Sequence, residues 1–229
     1  MAGILYAIPT PLGGTAADAL PASALTTVRS LREFVVENAK TARAFLKNVE
    51  MPCPIQDLRI STLEKEVSLY VKNLQAGSSV GLLSEAGCPA IADPGAALVD
   101  AAHQAGIRVV PLIGPSSIVL ALMASGLEGQ RFAFCGYLPR VAEEREQRIK
   151  ELEARSRRER ETQIFIETAY RNDVLFGSLL ETCAPATRLC LATDLTLSTE
   201  SVFTRSVGEW RKSKAAIGKR PTVFLLLSG

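Results

Sequence analysis

Eight short β-rich runs, separated by segments with helix-end signals, restrict what this chain can fold into. They are Ile4–Ile8, Phe34–Glu37, Val80–Leu83, Arg108–Leu112, Phe132–Tyr137, Gln163–Glu167, Leu189–Ala192 and Thr222–Leu227. Several are apolar without alternation, the pattern of parallel strands covered on both faces. Between them, Ser61-Thr-Leu-Glu64 reads as a capping box that opens a helix ending before Gly77. Asp93-Pro94 supplies an N-cap and a first-turn proline to a helix closed by Gly106. Ser116 and Ser117 cap Ile118–Ser125, and Gly126 stops it. Strand and helix in alternation predict an α/β fold with mostly parallel sheets. The length, 229 residues, suits one large domain or two small ones.

Composition removes several classes of function. Apolar residues make up 47% of the chain, and 26 Lys plus Arg balance 24 Asp plus Glu, which excludes a disordered chain. No apolar stretch reaches the ~18–20 residues of a membrane span. The start, Met-Ala-Gly-Ile-Leu-Tyr-Ala-Ile-Pro9, has no basic region ahead of its apolar run, so no secretory signal is expected and the expected location is cytoplasmic. A net charge of +2 announces neither a nucleic-acid nor a membrane partner, and it excludes neither. Cys53, Cys88, Cys135, Cys183 and Cys190 form no Cys-x-x-Cys pair, and the single histidine, His103, sits in a helical segment. Zinc sites, disulfide frameworks and Ser-His-Asp or Cys-His catalysis therefore lack support, and no metal is expected. An enzyme built this way draws its hard chemistry from a cofactor.

Two charged stretches have open readings. Arg140–Glu161 mixes eight bases with seven acids, as a solvated helix with i,i+4 pairs does, or a phosphate-binding arm. Arg205–Arg220 holds six bases against Glu209. It reads either as an exposed basic loop or, with Trp210, as a phosphate-contacting face.

Three Gly/Pro-rich loops follow apolar runs: Pro9-Thr-Pro-Leu-Gly-Gly14, the twelve residues Ser84–Gly95, and Gly114-Pro-Ser-Ser117. In an open parallel sheet, loops at the carboxyl ends of strands gather on one edge, where ligands bind. Small residues let the backbone approach a ligand, and prolines fix the loop shape. Neither a dinucleotide-binding fingerprint nor a P-loop is present.

In order and spacing these loops resemble those of the tetrapyrrole (corrin/porphyrin) methylase superfamily, and within it the ribosomal RNA small subunit methyltransferase I type, which methylates a ribose 2′-hydroxyl. The likeness is densest in Leu82-Leu-Ser-Glu-Ala-Gly-Cys-Pro-Ala-Ile-Ala-Asp-Pro-Gly95, Gly106-Ile-Arg-Val-Val-Pro-Leu-Ile-Gly-Pro-Ser116, Ala124-Ser-Gly-Leu127 and Arg131-Phe-Ala-Phe-Cys-Gly-Tyr-Leu-Pro139. The resemblance implies two α/β domains, here 1–113 and 114–229, with S-adenosylmethionine in a cleft between them, and a homodimer. Carried over by position, it places Pro11, Leu12 and Gly13 beside the cofactor. Ser84, Glu85, Ala86 and Gly87 take the loop that contacts its methionine and ribose parts, and Ile91 is an apolar wall. Ser116 and Ser117 line it from the third loop, Tyr137 and Leu138 from the second domain.

The departures fall partly in a cofactor loop and mostly on the substrate side. The family's Ser-Asp-Ala-Gly-Thr-Pro is Ser84-Glu-Ala-Gly-Cys-Pro89; the RNA enzymes' Glu-Asp-Thr-Arg is Glu37-Asn-Ala-Lys40. Their Tyr-Glu-Ser-Pro-His-Arg is Ile166-Glu-Thr-Ala-Tyr-Arg171, and their Arg-Glu-Leu-Thr-Lys is Thr193-Asp-Leu-Thr-Leu197. Glu37, Glu167, Arg171 and Thr196 are retained. A ribose hydroxyl is a poor nucleophile, so a carboxylate acting as general base or acceptor helps. Glu37 and Glu167, each ending an apolar run, are the catalytic candidates; both also suit a helix cap or an ion pair. The function expected is S-adenosylmethionine-dependent methylation of RNA. Methylation of a tetrapyrrole or other small molecule, and non-catalytic cofactor binding, are the alternatives.

Overall fold

The computed structural model describes residues 2–63, 67–213 and 215–229. The chain divides into two compact units, Met1–Ser116 and Ser117–Gly229.

In the first unit, β1 (Ile4–Ile8), β2 (Glu33–Val36), β3 (Arg59–Thr62), β4 (Val80–Leu83) and β5 (Arg108–Pro111) form one sheet of order β3-β2-β4-β1-β5, with every ladder parallel. Its helices are α1 (Ala16–Ala19), α2 (Ala22–Ser30), α3 (Ala39–Asn48), α4 (Val67–Gln75) and α5 (Ala96–Gln104). Successive side chains of a strand point to opposite faces. Phe34 and Val36 accordingly join Ile8, Val28 and Leu46 in one core, while Val35 joins Leu5, Tyr70, Leu82 and Leu98 in another. Helices on both faces explain why β2 and β4 carry no polar alternation. Gly81 lies where a Cβ would stand 2.7 Å from Ile8 Cδ1 and 2.8 Å from Phe34 Cδ1, so β4 has room only for glycine there.

The second unit contains β6 (Phe132–Tyr137), β7 (Thr162–Ile166), β8 (Arg188–Thr193), β9 (Ser201–Ser206) and β10 (Thr222–Leu227), ordered β6-β7-β10-β8-β9. Its helices are α6 (Ser117–Ser125), α7 (Ala142–Glu159), α8 (Asn172–Thr182) and α9 (Val207–Lys212). β6 and β7 are parallel across the α7 crossover, whereas β7–β10, β10–β8 and β8–β9 are antiparallel. Parallel pairing thus holds throughout the first sheet and stops after β7 in the second. The short Asp194–Glu200 connection has no crossover helix, and without one neighbouring strands run antiparallel.

Helix α7 is the expected charged helix, with pairs such as Lys150–Glu146 at 2.6 Å, but it is not solvated all round. Arg145, Ile149, Leu152 and Ser156, at helical spacing, are buried against the sheet. Arg145 donates to the carbonyls of Arg140 (2.8 Å) and Pro139 (3.4 Å) and to Ser178 Oγ (3.0 Å).

Local signals misplaced two helix starts. Ser61 and Thr62 belong to edge strand β3, where pairing with β2 outweighs capping; Glu64, the other half of that box, lies outside the described residues. Helix α5 starts from Gly95, so Asp93 and Pro94 stay in the preceding loop. Strands β3 and β9 carry no apolar run in the sequence, because both are edge strands of polar composition. Among the described residues no helix is long and apolar enough to cross a membrane, and no group of His, Cys, Asp or Glu is arranged to hold a metal ion.

Candidate active site

All ladders of the first sheet being parallel, the loops after β1, β4 and β5 leave from one edge, and hydrogen bonds and close packing tie them together. Thr10 and Gly87 pair as an antiparallel bridge, Thr10 N–H to Gly87 O at 2.9 Å and Gly87 N–H to Thr10 O at 3.0 Å. The Cys88 thiol donates to the Pro115 carbonyl at 3.4 Å, joining the second loop to the third. A Cβ on Gly114 would stand 2.5 Å from Pro9 Cβ, so the third loop lies directly on the first. Gly87 adopts φ +75° and its missing Cβ faces Leu12 Cδ2 at 3.3 Å, a conformation that favours glycine. Ala90 and Ala92 also lie in the left-handed region, at φ 65° and 63°. Such backbone costs energy and persists where the surroundings over-determine it, often at ligand sites.

The expected site residues here divide by exposure. Ser84 is buried and its hydroxyl donates to the Gly87 carbonyl at 3.1 Å, so it shapes the turn. Glu85 and Ala86 form an exposed tip, and the Ala86 amide has no acceptor among the described residues. Ile91 is 49% exposed, leaving an apolar side chain beside the tip. Pro11, Leu12, Gly13, Ser116 and Ser117 are half-buried.

Three carboxylates gather at this edge. Glu37, after β2, accepts the Glu85 amide at Oε2 (3.2 Å), and the Thr41 hydroxyl lies 3.4 Å from Glu85 Oε1. Asp93 was not among the residues expected at the site. Burial, then the charges of Glu37 and Glu85, push its carboxyl up to about 6, with partial relief from Ser84. Helix α3 is capped by Asn38, which accepts the Lys40 N–H at 2.9 Å, so Glu37 has no capping duty.

In the second unit Tyr137 is 56% exposed, whereas Leu138 is buried in the core. Glu167 is deeply buried. Its Oε1 accepts the Thr168 N–H at 2.7 Å, and Oε2 lies 3.0 Å from Arg171 Nη2. Among the described residues Oε2 makes no hydrogen bond and is faced only by the Arg171 charge. Asp194 and Thr196 are left-handed, at φ 52° and 72°. Arg220 holds that turn by donating to Asp194 Oδ2 (2.7 Å) and Thr199 O (2.6 Å).

The basic C-terminal stretch is largely consumed by the fold. Trp210 is buried, with its indole N–H on Leu189 O at 2.8 Å, and is no surface for stacking. Arg211 donates to Leu180 O and Cys183 O, and Arg205 lies 4.8 Å over the Trp210 ring. Lys214 lies outside the described residues.

Residues 5–210 match the family profile of the tetrapyrrole (corrin/porphyrin) methylases. The ribosomal RNA small subunit methyltransferase I of Vibrio cholerae is 32% identical over 201 residues, covering 88% of this chain and 68% of that protein. The protein of the same name from Escherichia coli O157:H7 is 31% identical, covering 90% of this chain and 70% of its own length. Among solved structures, the methyltransferase CobJ superposes with a TM-score of 0.65 at 17% identity, covering 100% of this chain and 95% of that one. A diphthine synthase gives 0.66 at 17%, covering 98% and 89%. At such identities the structural likeness speaks for the fold.

Proposed function

As the chain belongs to the tetrapyrrole (corrin/porphyrin) methylases and is a methyltransferase, we propose that its acceptor is RNA of the small ribosomal subunit and its methyl donor S-adenosylmethionine. The observation that carries the cofactor reading is the three-loop junction of the first unit. Small residues, a left-handed Gly87, an unengaged Ala86 amide and the exposed Ile91 suit a ligand with polar methionine and ribose parts and an apolar adenine. The cofactor supplies a sulfonium-activated methyl group, and the protein's work is alignment of the acceptor.

In this reading the first-unit loops, at Pro11–Gly13, Ser84–Gly87, Ile91 and Ser116, hold the cofactor. Glu37 is the acceptor-side carboxylate: one oxygen is held by the Glu85 amide and the other has no partner among the described residues. Glu167, ion-paired with Arg171 and without a hydrogen bond at Oε2 among the described residues, is the second candidate carboxylate. The protein works as a cytoplasmic homodimer.

The non-catalytic alternative rests on the changes at Asn38, Ala39, Ala169 and Leu197; of these, Asn38 caps α3. Incubation of small-subunit RNA with labelled-methyl S-adenosylmethionine tests the function. Label in RNA that survives protease and yields a methylated ribose is expected. Label in a tetrapyrrole and none in RNA contradicts the reading.

A further inference from the structure

Tyr170 is the most exposed large hydrophobic side chain among the described residues, at 79%, on the 3-10 turn Ala169–Arg171 that follows β7. Lys219 Nζ sits 5.0 Å from its ring centroid although the two are far apart in sequence. This approach is built from beneath. Asp173 Oδ1 accepts the N–H groups of Ile217 (2.8 Å) and Gly218 (3.2 Å). Asn172, fully buried, donates to Arg220 O at 2.6 Å. Ile217 is packed into the core of the unit. The first turn of α8 therefore clamps the 217–220 segment on both sides of Lys219.

The flanking cations are neutralised and Lys219 is not. Arg171 pairs with Glu167 at 3.0 Å and Arg220 with Asp194 at 2.7 Å. Among the described residues Lys219 has no carboxylate partner; its contact is the ring. One face of Tyr170 is covered by a cation, and the ring is otherwise open to solvent. An exposed aromatic beside an uncompensated cation is what a single-stranded nucleotide needs, since the base stacks and the phosphate is neutralised.

We propose that Tyr170 and Lys219 form a nucleotide platform in which an unpaired base of the acceptor RNA stacks on the open face of Tyr170 and the adjoining phosphate pairs with Lys219. This rests on the RNA reading above and adds to it how the acceptor is gripped: as an unstacked, single-stranded segment, next to the Glu167–Arg171 pair.

The test uses the full chain with small-subunit RNA and a fluorescein-labelled single-stranded oligoribonucleotide, comparing wild type, Tyr170→Ala, Tyr170→Phe and Lys219→Gln. Tyr170→Ala is expected to raise the RNA Kd about tenfold, with the loss in methyl transfer falling on KM for RNA. Tyr170→Phe keeps the ring and stays within about twofold. Lys219→Gln lowers the slope of log Kobs against log salt by about 0.7. S-adenosylhomocysteine affinity, measured on each variant, is unmoved and shows that the variants are folded. If wild type binds and methylates RNA while Tyr170→Ala binds it equally well, the platform is wrong and the methyltransferase reading stands. If wild type neither binds nor methylates RNA, both fall.

Discussion

The Glu37 carboxylate accepts the backbone N–H of Glu85 at 3.2 Å, so the end of β2 holds the tip of the loop that follows β4. A hydrogen bond from an amide to a charged acceptor contributes roughly 1.5–3 kcal/mol. Glu37→Ala is therefore expected to weaken S-adenosylhomocysteine binding about tenfold by releasing the tip. Glu37→Gln retains an acceptor and should keep the affinity while lowering kcat, since it cannot take a proton. Calorimetry and single-turnover rates on both variants check this; unchanged turnover in Glu37→Gln removes Glu37 from the chemistry.

Gly114 has no room for a side chain. A methyl group would meet Pro9 Cβ at 2.5 Å and Leu20 Cδ2 at 2.8 Å, and neither the proline ring nor the core leucine can swing away. Overpacking of this kind costs about 1–3 kcal/mol. Gly114→Ala should lower the urea midpoint and also weaken cofactor binding, because it separates the first and third loops. A wild-type melting curve would show that the loops are not in contact.

Asp93 gives the stability a pH dependence. Its carboxyl is raised from 3.8 to about 6, first by burial and then by Glu37 and Glu85. The folded protein thus binds this proton more tightly than the unfolded chain. The linked stability is complete below about pH 4 and is lost as pH rises through about 6. Asp93→Asn should remove this slope and stabilise the protein at pH 8 by about 1 kcal/mol, after allowance for solvent screening at a partly exposed group. Denaturant titrations at pH 5 and pH 8 measure it.

Cys183 and Cys190 are buried, and burial pushes both thiols up, Cys183 to about 12 with a further push from Glu153. Thiolates are the reactive form. Native protein treated with iodoacetamide at pH 8 should leave both unmodified by mass spectrometry until urea unfolds it.

The parts of the fold that read directly from sequence are those set by short-range rules. Apolar runs such as Ile4–Ile8 and Val80–Leu83 became buried parallel strands, and Gly106 and Gly126 ended helices at positive φ. What escaped depends on long-range pairing. Ser61 looks like a cap but is recruited by Glu33–Val36 into a parallel ladder. Asp93 looks like an N-cap but is left outside α5, next to two other carboxylates whose positions come from different strands. At the site, the loops were legible from Gly and Pro content, but the bonds that join them were not. No local pattern announces that Thr10 pairs with Gly87 or that Cys88 reaches Pro115. Tyr170 and Lys219 were invisible for the same reason, as their meeting is arranged by Asn172 and Asp173 holding a distant segment.

The cradle of three loops is tested most directly by titrating the full chain with S-adenosylhomocysteine in a calorimeter, beside Gly87→Val. Wild type should give a saturable one-to-one isotherm. Gly87→Val, which forces a β-branched residue into φ +75° against Leu12, should weaken it at least about tenfold. No heat from wild type, or equal affinity in the variant, would contradict the account.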